Sequence, residues 1–107
     1  MTYSIIYSPE SLDDLRSIYM YIAYELCAGD AAKRQVDRIR SAIRKLDTFP
    51  EGHSHIDWEP WASIGMHYLP VDNYIVYFLV NNNSQSVSIV RIFYGGRDVE
   101  QIIRTDL

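Results

Sequence analysis

The chain contains 107 residues with a mass of 12.5 kDa, which fits one ordinary domain spanning residues 1–107. Hydrophobic residues make up 48% of the chain and charged residues 22%, a balance that excludes disordered and fibrous proteins. The net charge of -4 argues against a broad phosphate-binding surface, so we expect no direct reading of duplex DNA. Cys27 is the single cysteine, which excludes an intramolecular disulfide, and we expect neither a bound metal nor a cofactor.

The sequence shows no sign of export or of membrane insertion. Its first residues lack the basic stretch and the apolar stretch of a signal peptide. The longest apolar run covers residues 74–80, far short of the roughly 20 residues that a membrane-spanning helix needs. We therefore expect a soluble, cytoplasmic protein that does not bind membranes.

The chain opens with a predicted strand and a predicted helix. Residues 3–7 are β-branched and aromatic, which favours a strand. Ser8 has the properties of a helix N-cap, and Pro9 suits the first helical position because its missing N–H is not needed there. Apolar residues then recur every three or four positions as far as Leu26, which predicts an amphipathic helix.

A second helix is predicted between residue 30 and Pro50. Gly29 suits a left-handed end to the first helix, and Asp30 suits the N-cap of the second. A connection this short makes the two helices antiparallel neighbours. Residues 30–47 carry a net charge of +3, whereas the rest of the chain carries -7. The second helix could therefore meet an acidic partner, although solvation alone also explains its charge.

The second half of the chain reads as a loop followed by three strands. Residues 51–63 show no regular period, and we expect Trp58 and Trp61 in this loop to cover the helix–sheet core. Three β-rich runs follow, separated by turn signals, and Asp98 can cap a last short helix. The runs are residues 65–69, 74–80 and 87–93.

This order of elements predicts an α+β fold. One strand precedes an antiparallel helix pair, a three-stranded antiparallel run then completes the sheet, and a short C-terminal helix ends the chain. Helices gathered on one side of a largely antiparallel sheet bury the apolar surfaces of both.

Three segments in this order resemble the RelE/ParE superfamily, the small bacterial toxins of type II toxin–antitoxin systems. Residues 3–15 resemble the opening strand and its acidic helix start, and residues 69–77 resemble a hairpin whose central strand is framed by tyrosines. Residues 90–98 are similar to the last strand and its tail, which here reads Gly95-Gly96-Arg97-Asp98. Together the three segments extend over nearly the whole chain.

The resemblance implies a growth-inhibiting toxin of the kind linked to plasmid stabilisation, silenced by a cognate antitoxin protein. The superfamily contains two activities on one fold, so membership leaves the target open. ParE-like members inhibit DNA gyrase by binding it. RelE-like members are ribosome-dependent endoribonucleases that cut mRNA.

The nuclease alternative implies a set of catalytic residues on the sheet. RNA cleavage needs a base, an acid and a group that stabilises the charged phosphorane. The candidates are His67, Arg91, Tyr94 and Arg97. Each also has a structural interpretation: His67 as a half-exposed strand residue, Arg91 as the partner of a carboxylate, Arg97 as an ion pair with Asp98, and Tyr94 as a core residue.

Two other groups of polar residues are possible sites. His53 and His55 could form a metal site with a nearby carboxylate if they shared one face of a strand, but an irregular loop does not imply that geometry. Asp13 and Asp14 lie at a predicted helix start, where we expect capping or solvated charges.

The acidic composition favours the ParE-like alternative. A protein that enters the ribosome must approach dense RNA phosphate, yet residues 65–107 contain only three basic side chains. Inhibition of gyrase requires only a protein-binding surface. We therefore expect a ParE-like toxin, with a RelE-like nuclease or a non-toxic α+β binding domain as the alternatives.

Overall fold

The computed structural model describes residues 2–105, in which a four-stranded sheet carries two long helices on one face. The strand order is β1-β4-β3-β2; β1 pairs with β4 in parallel, and the other pairs are antiparallel. The elements are β1 (Ser4–Tyr7), α1 (Pro9–Met20), α2 (Gly29–Arg44), β2 (His67–Val71), β3 (Tyr74–Asn81), β4 (Ser86–Tyr94) and α3 (Val99–Thr105). This architecture confirms the predicted α+β fold. Of the helices in residues 2–105, none is long and apolar enough to cross a bilayer.

The start of α1 follows the sequence prediction. The Ser8 side-chain oxygen accepts a hydrogen bond from the Ser11 backbone N–H at 3.0 Å, and Pro9 occupies the first turn. The Ser8 hydroxyl also donates to the Val90 carbonyl oxygen at 2.8 Å. One serine thus caps the helix and fastens it to β4.

The junction between the two helices differs from the prediction. A π-helical turn, Tyr21–Glu25, follows α1, and the chain then reverses at Cys27, which has a left-handed φ of 52°. Gly29 is already the first residue of α2, and Ala28 occupies its cap position. The predictions for Gly29 and Asp30 were therefore wrong, because the reversal takes place two residues earlier than a glycine signal suggests.

The main core lies between the two long helices and the sheet. α1 contributes Leu15 and Ile18, and α2 contributes Ile39 and Ile43, the last two fully buried. The sheet supplies the buried side chains Val76, Phe78, Val87, Ile89 and Ile92. The burial of these apolar side chains is the dominant contribution to the stability of the fold.

The opposite face of the sheet is covered by the loop that precedes β2 and by α3. Trp61 is buried there beside Tyr77, and the Trp58 and Trp61 rings stack with centroids 5.1 Å apart. The prediction that the two tryptophans cover the helix–sheet core was therefore wrong, because they pack on the other face of the sheet. The loop passes round the outer edge of β2, where His55 forms a β-bridge with His67, and so reaches the other side.

A bulge in β4 decides which way its functional side chains face. Tyr77 pairs with Arg91 while Phe78 pairs with Ile89, so Val90 is an extra residue in the strand. As a result Ile89 contributes to the helix-side core, whereas Arg91 lies beside the opposite face.

Candidate functional site

A groove of about 730 Å³ opens where α1 and α2 pass over one end of the sheet. Its apolar lining comes from the end of α1, from the π turn and from the facing ends of β3 and β4, and its basic lining comes from α2 and from the segment after β4. The lining includes Ile18, Tyr21, Ile22, Leu26, Arg34, Arg38, Tyr74, Tyr94 and Arg97.

The π turn supplies the outer wall of the groove. Leu26 donates its backbone N–H to the Tyr21 carbonyl, five residues back, at 3.1 Å. Tyr21 and Leu26 lie along the groove with 54% and 56% of their surface exposed. Single π turns occur frequently at functional sites. Residues 21–25 contain no glycine or proline, so this turn has no signal in the sequence.

Two tyrosines form the sheet side of the groove. Tyr74 and Tyr94 are register partners at the ends of β3 and β4, and their rings meet edge to face with centroids 6.0 Å apart. Burial raises the pKa of Tyr74, and the neighbouring Tyr21 and Tyr94 raise it further. The Tyr74 phenol therefore stays protonated at neutral pH and does not act as a base.

The rim of the groove is basic. Arg34, Arg38 and Arg97 reach it, and among residues 2–105 none of the lining side chains is acidic. Arg38 donates to Asp72 in the β2–β3 turn at 2.8 Å, and Gln35 donates to the same oxygen at 2.9 Å. These two hydrogen bonds, with that from Arg38 the stronger influence, lower the pKa of Asp72. They also fasten the hairpin to α2.

Arg91 is engaged by a carboxylate from α1. Its Nε and Nη2 atoms donate to the two oxygens of Asp14 at 2.8 and 3.0 Å, and the Ile92 backbone N–H donates to Asp14 at 2.8 Å. The prediction that Asp14 is a capping or solvated charge was wrong. β1 ends before this stretch of β4, and Asp14 occupies the edge that β1 leaves open.

Arg97 lies on the same side of the sheet as Arg91. The guanidinium carbons of Arg91 and Arg97 sit 4.3 and 5.1 Å from the centroid of the Phe93 ring. Asp98 accepts a hydrogen bond from the Gln101 backbone N–H, which confirms its predicted role as the cap of α3.

His67 is not the half-exposed strand residue that we predicted, because only 4% of its surface is exposed. Its ring stacks on Phe78 with centroids 5.1 Å apart, and His55 covers the other side at 4.0 Å. The alternation of side chains along β2 could not predict the burial of His67, because the residue that covers it, His55, belongs to an irregular loop.

The structure gathers some of the four candidate catalytic residues and leaves one apart. Tyr94 and Arg97 line the groove, and Arg91 is close to Arg97 through Phe93. His67 pairs with Phe78, whereas Tyr94 pairs with Tyr74, four residues along β3. Those four residues correspond to roughly 13 Å along the strand.

The histidines of the loop do not assemble a metal centre. Within residues 2–105, no group of three histidine, cysteine, aspartate or glutamate side chains is placed to hold a metal ion. His55 stacks against His67 instead. What the groove offers chemically is an apolar floor with a basic rim, which suits an amphipathic partner carrying acidic groups.

Three solved structures that are similar in fold come from toxin–antitoxin systems. The chromosomal ParDE system of P. aeruginosa contains a chain that superposes with a TM-score of 0.71 at 20% identity, covering 87% of this chain and 96% of that one. A chain of the archaeal RelE–RelB complex of Pyrococcus horikoshii gives a TM-score of 0.62 at 19% identity, with coverages of 91% and 99%. A free E. coli RelE variant gives 0.65 at 11% identity, with coverages of 97% and 98%.

A comparison with protein-family models identifies the family of the chain. Curated protein sequences give no significant match. The model of the family described as "ParE toxin of type II toxin–antitoxin system, parDE" matches residues 5–99, which is most of the chain. The chain therefore belongs to the ParE toxin family of type II toxin–antitoxin systems.

Proposed function

We propose that this protein is a cytoplasmic, growth-inhibiting toxin that acts by binding DNA gyrase and does not cut RNA. The observation that carries the proposal is the separation of the buried His67 from the other three candidate catalytic residues, Arg91, Tyr94 and Arg97. Membership of the ParE family supports the same choice.

The geometry around the candidates suits binding better than catalysis. Acid–base chemistry on RNA needs its groups within hydrogen-bond reach of one substrate position. His67 is buried and lies roughly 13 Å along the strand from the groove tyrosines. Arg91, the more buried of the two candidate arginines, donates to both carboxylate oxygens of Asp14 through Nε and Nη2. A phosphate would have to compete with that carboxylate.

The groove is the surface that we assign to the cognate antitoxin. Its apolar floor and its half-exposed Tyr21, Leu26 and Tyr94 leave an apolar patch uncovered on the isolated chain. A helical or extended antitoxin segment would place apolar side chains there and acidic ones against Arg34 and Arg97. Binding in this groove would hold the toxin silent.

Inducing the protein in bacteria without an antitoxin, while recording growth and mapping mRNA 5′ ends, tests the proposal. We expect growth arrest with intact mRNA. New ends inside translated codons that vanish when translation is blocked would establish the RelE-like alternative. Unchanged growth at a confirmed protein level would establish the non-toxic alternative and overturn the proposal.

The variants Tyr94→Ala and Arg97→Ala add a second test in the same cells, with Arg16→Ala as the matched control. Tyr94 and Arg97 are candidate catalytic residues, whereas Arg16 pairs with Asp13 on the exposed side of α1. If mRNA cleavage occurs and only the two groove variants lose it, the groove is a nuclease site. In the proposed function none of the three variants alters mRNA ends.

A further inference from the structure

Three histidines meet at the outer edge of β2, away from the groove. His53 and His55 come from the loop before β2, and His67 is the first residue of that strand. They are all the histidines of the chain. Nothing in the proposed function uses them.

The ring of His67 is buried and held by a hydrogen bond to the backbone. Its Nδ1 atom lies 3.0 Å from the His53 carbonyl oxygen, which only accepts hydrogen bonds, so Nδ1 carries a proton and the neutral ring is the Nδ1–H tautomer. One face of the ring stacks on Phe78, whose side chain is fully buried, at an interplanar angle of 10°. The other face meets His55. The His67 ring thus lies between a fully buried phenyl ring and a second imidazole.

A second proton on His67 would be costly in this position. The charge would lie between the Phe78 ring and the His55 ring, whose centroid is 4.0 Å from that of His67. The other titratable groups facing His67 are His53 and Glu51, and Asn82 donates to the Glu51 carboxylate at 2.6 Å. Burial is the largest cause that lowers the pKa of His67, with His55 and His53 acting in the same direction. The hydrogen bond to the His53 carbonyl and the charge of Glu51 oppose this shift without reversing it.

The histidine stack lies where the loop is fastened to the sheet. The Ile56 backbone N–H donates to the Met66 carbonyl at 2.8 Å, and the Tyr68 N–H donates to the Ser54 carbonyl at 3.0 Å. Beyond this bridge the loop carries Trp58 and Trp61 across the opposite face of the sheet. Release of the bridge would therefore free the outer edge of β2 and loosen the packing of Trp58 and Trp61 on the sheet. The packing of α1 and α2 on the other face would stay unchanged.

We propose that the stack of His55, His67 and Phe78 is an acid-sensitive latch that holds residues 53–65 against β2 at neutral pH and releases them when His67 takes up a proton. The released state keeps the helix-side core and exposes a strand edge and an apolar face. The latch lies at the far end of β2 from the groove, so it acts independently of the proposed antitoxin site.

Hydrogen exchange on the full-length protein at pH 7.5 and pH 5.5 measures this release. A free histidine of pKa about 6.5 passes from about one-tenth to about ten-elevenths protonated over this range, so one proton raises the opening equilibrium by up to about tenfold. We expect the protection factors of the Ile56 and Tyr68 amides to fall by several-fold to tenfold. The Ile39 amide in α2 should keep its protection, and an equal fall there would show global unfolding and overturn the proposal.

The variant His67→Phe keeps the stack and removes the proton site, so its Ile56 and Tyr68 protection should not change between the two pH values. A pH response equal to that of the wild type would refute the latch. An NMR titration of the wild-type His67 ring provides a test that needs no variant. A midpoint below about 6.5 supports the latch, and one at or above that value contradicts it.

Discussion

The contact between Asp14 and β4 allows the most exacting mutational test of the fold. Replacing Asp14 with alanine removes three acceptor contacts at once: two from the Arg91 guanidinium and one from the Ile92 backbone N–H. The Asp14 and Arg91 side chains are 13% and 26% exposed, so water restores the lost hydrogen bonds only in part. The sheet edge beyond the end of β1 would also lose its cover.

The expected loss of stability follows from these contacts. A net hydrogen bond to a charged group contributes about 1.5–3 kcal/mol, and breaking one side of a buried ion pair costs about 3–5 kcal/mol. Because Arg91 is one-quarter exposed, we expect the Asp14→Ala change to lower the free energy of unfolding by about 3 kcal/mol. At about 4–8 °C per kcal/mol for a domain of this size, the Tm should fall by about 12–24 °C.

Asp13 is the matched control, one residue earlier on the same helix. Its ion pair with Arg16 is 70% and 72% exposed, so Asp13→Ala should cost at most about 0.5 kcal/mol. Thermal and urea unfolding of both variants, with a double-mutant cycle between Asp14 and Arg91, makes the comparison. A Tm for Asp14→Ala within about 3 °C of that for Asp13→Ala would refute the reasoning, as would a coupling energy near zero.

Three further predictions concern backbone conformation, packing and pH. Gly65 has a φ of 76°, so Gly65→Ala should lower the free energy of unfolding by about 1–2 kcal/mol. Gly29 lies in the first turn of α2, where an added Cβ meets no atom within 4 Å, so Gly29→Ala should leave stability unchanged or raise it. Urea unfolding of the two variants makes the comparison. Trp61 is 6% exposed, so Trp61→Ala should lower the free energy of unfolding by about 3–5 kcal/mol and red-shift the fluorescence emission of Trp58, the remaining tryptophan. An unchanged stability would show that the packing of Trp61 against the sheet contributes little. The pKa of Asp72 is lowered in the folded state by Arg38, so its contribution is present above the ordinary carboxyl pKa of about 3.9 and is lost as pH falls through the lowered value. Asp72→Asn should abolish that part of the fall in Tm at acid pH, and an unchanged acid profile would show that the pair contributes nothing.

The elements that the sequence predicted best are those decided by local chemistry. Ser8 and Pro9 carry their helix-start signal in two adjacent residues, and Asp98 does the same for α3. The strands appear as β-branched and aromatic runs because each is buried on at least one face. The separation of Tyr74 and Tyr77 onto opposite faces follows from the period of a strand alone.

The features that the sequence did not predict depend on contacts between distant residues. Asp14 meets Arg91 across 77 positions, and neither residue carries a local sign of the other. His67 is buried by a loop that has no period of its own. The π turn depends on how α1 ends above the sheet, and its five residues contain no helix-breaking signal.

The groove could be predicted only in part. The sequence indicates Tyr94 and Arg97 as candidate site residues, and both line the groove. In the sequence, Tyr21, Leu26 and Arg34 belong only to two predicted amphipathic helices, because their shared surface appears only when the helices cross over the sheet. A site built from three separate segments leaves no contiguous motif.

The central claim is that this ParE-family chain inhibits DNA gyrase by binding it. The most direct test adds the purified protein to gyrase, relaxed plasmid and ATP, with topoisomerase I in place of gyrase as the control for effects on DNA alone. We predict a dose-dependent loss of supercoiling by gyrase and unchanged relaxation by topoisomerase I. Full gyrase activity at a large excess of folded protein, together with cleavage of mRNA on translating ribosomes, would contradict the account.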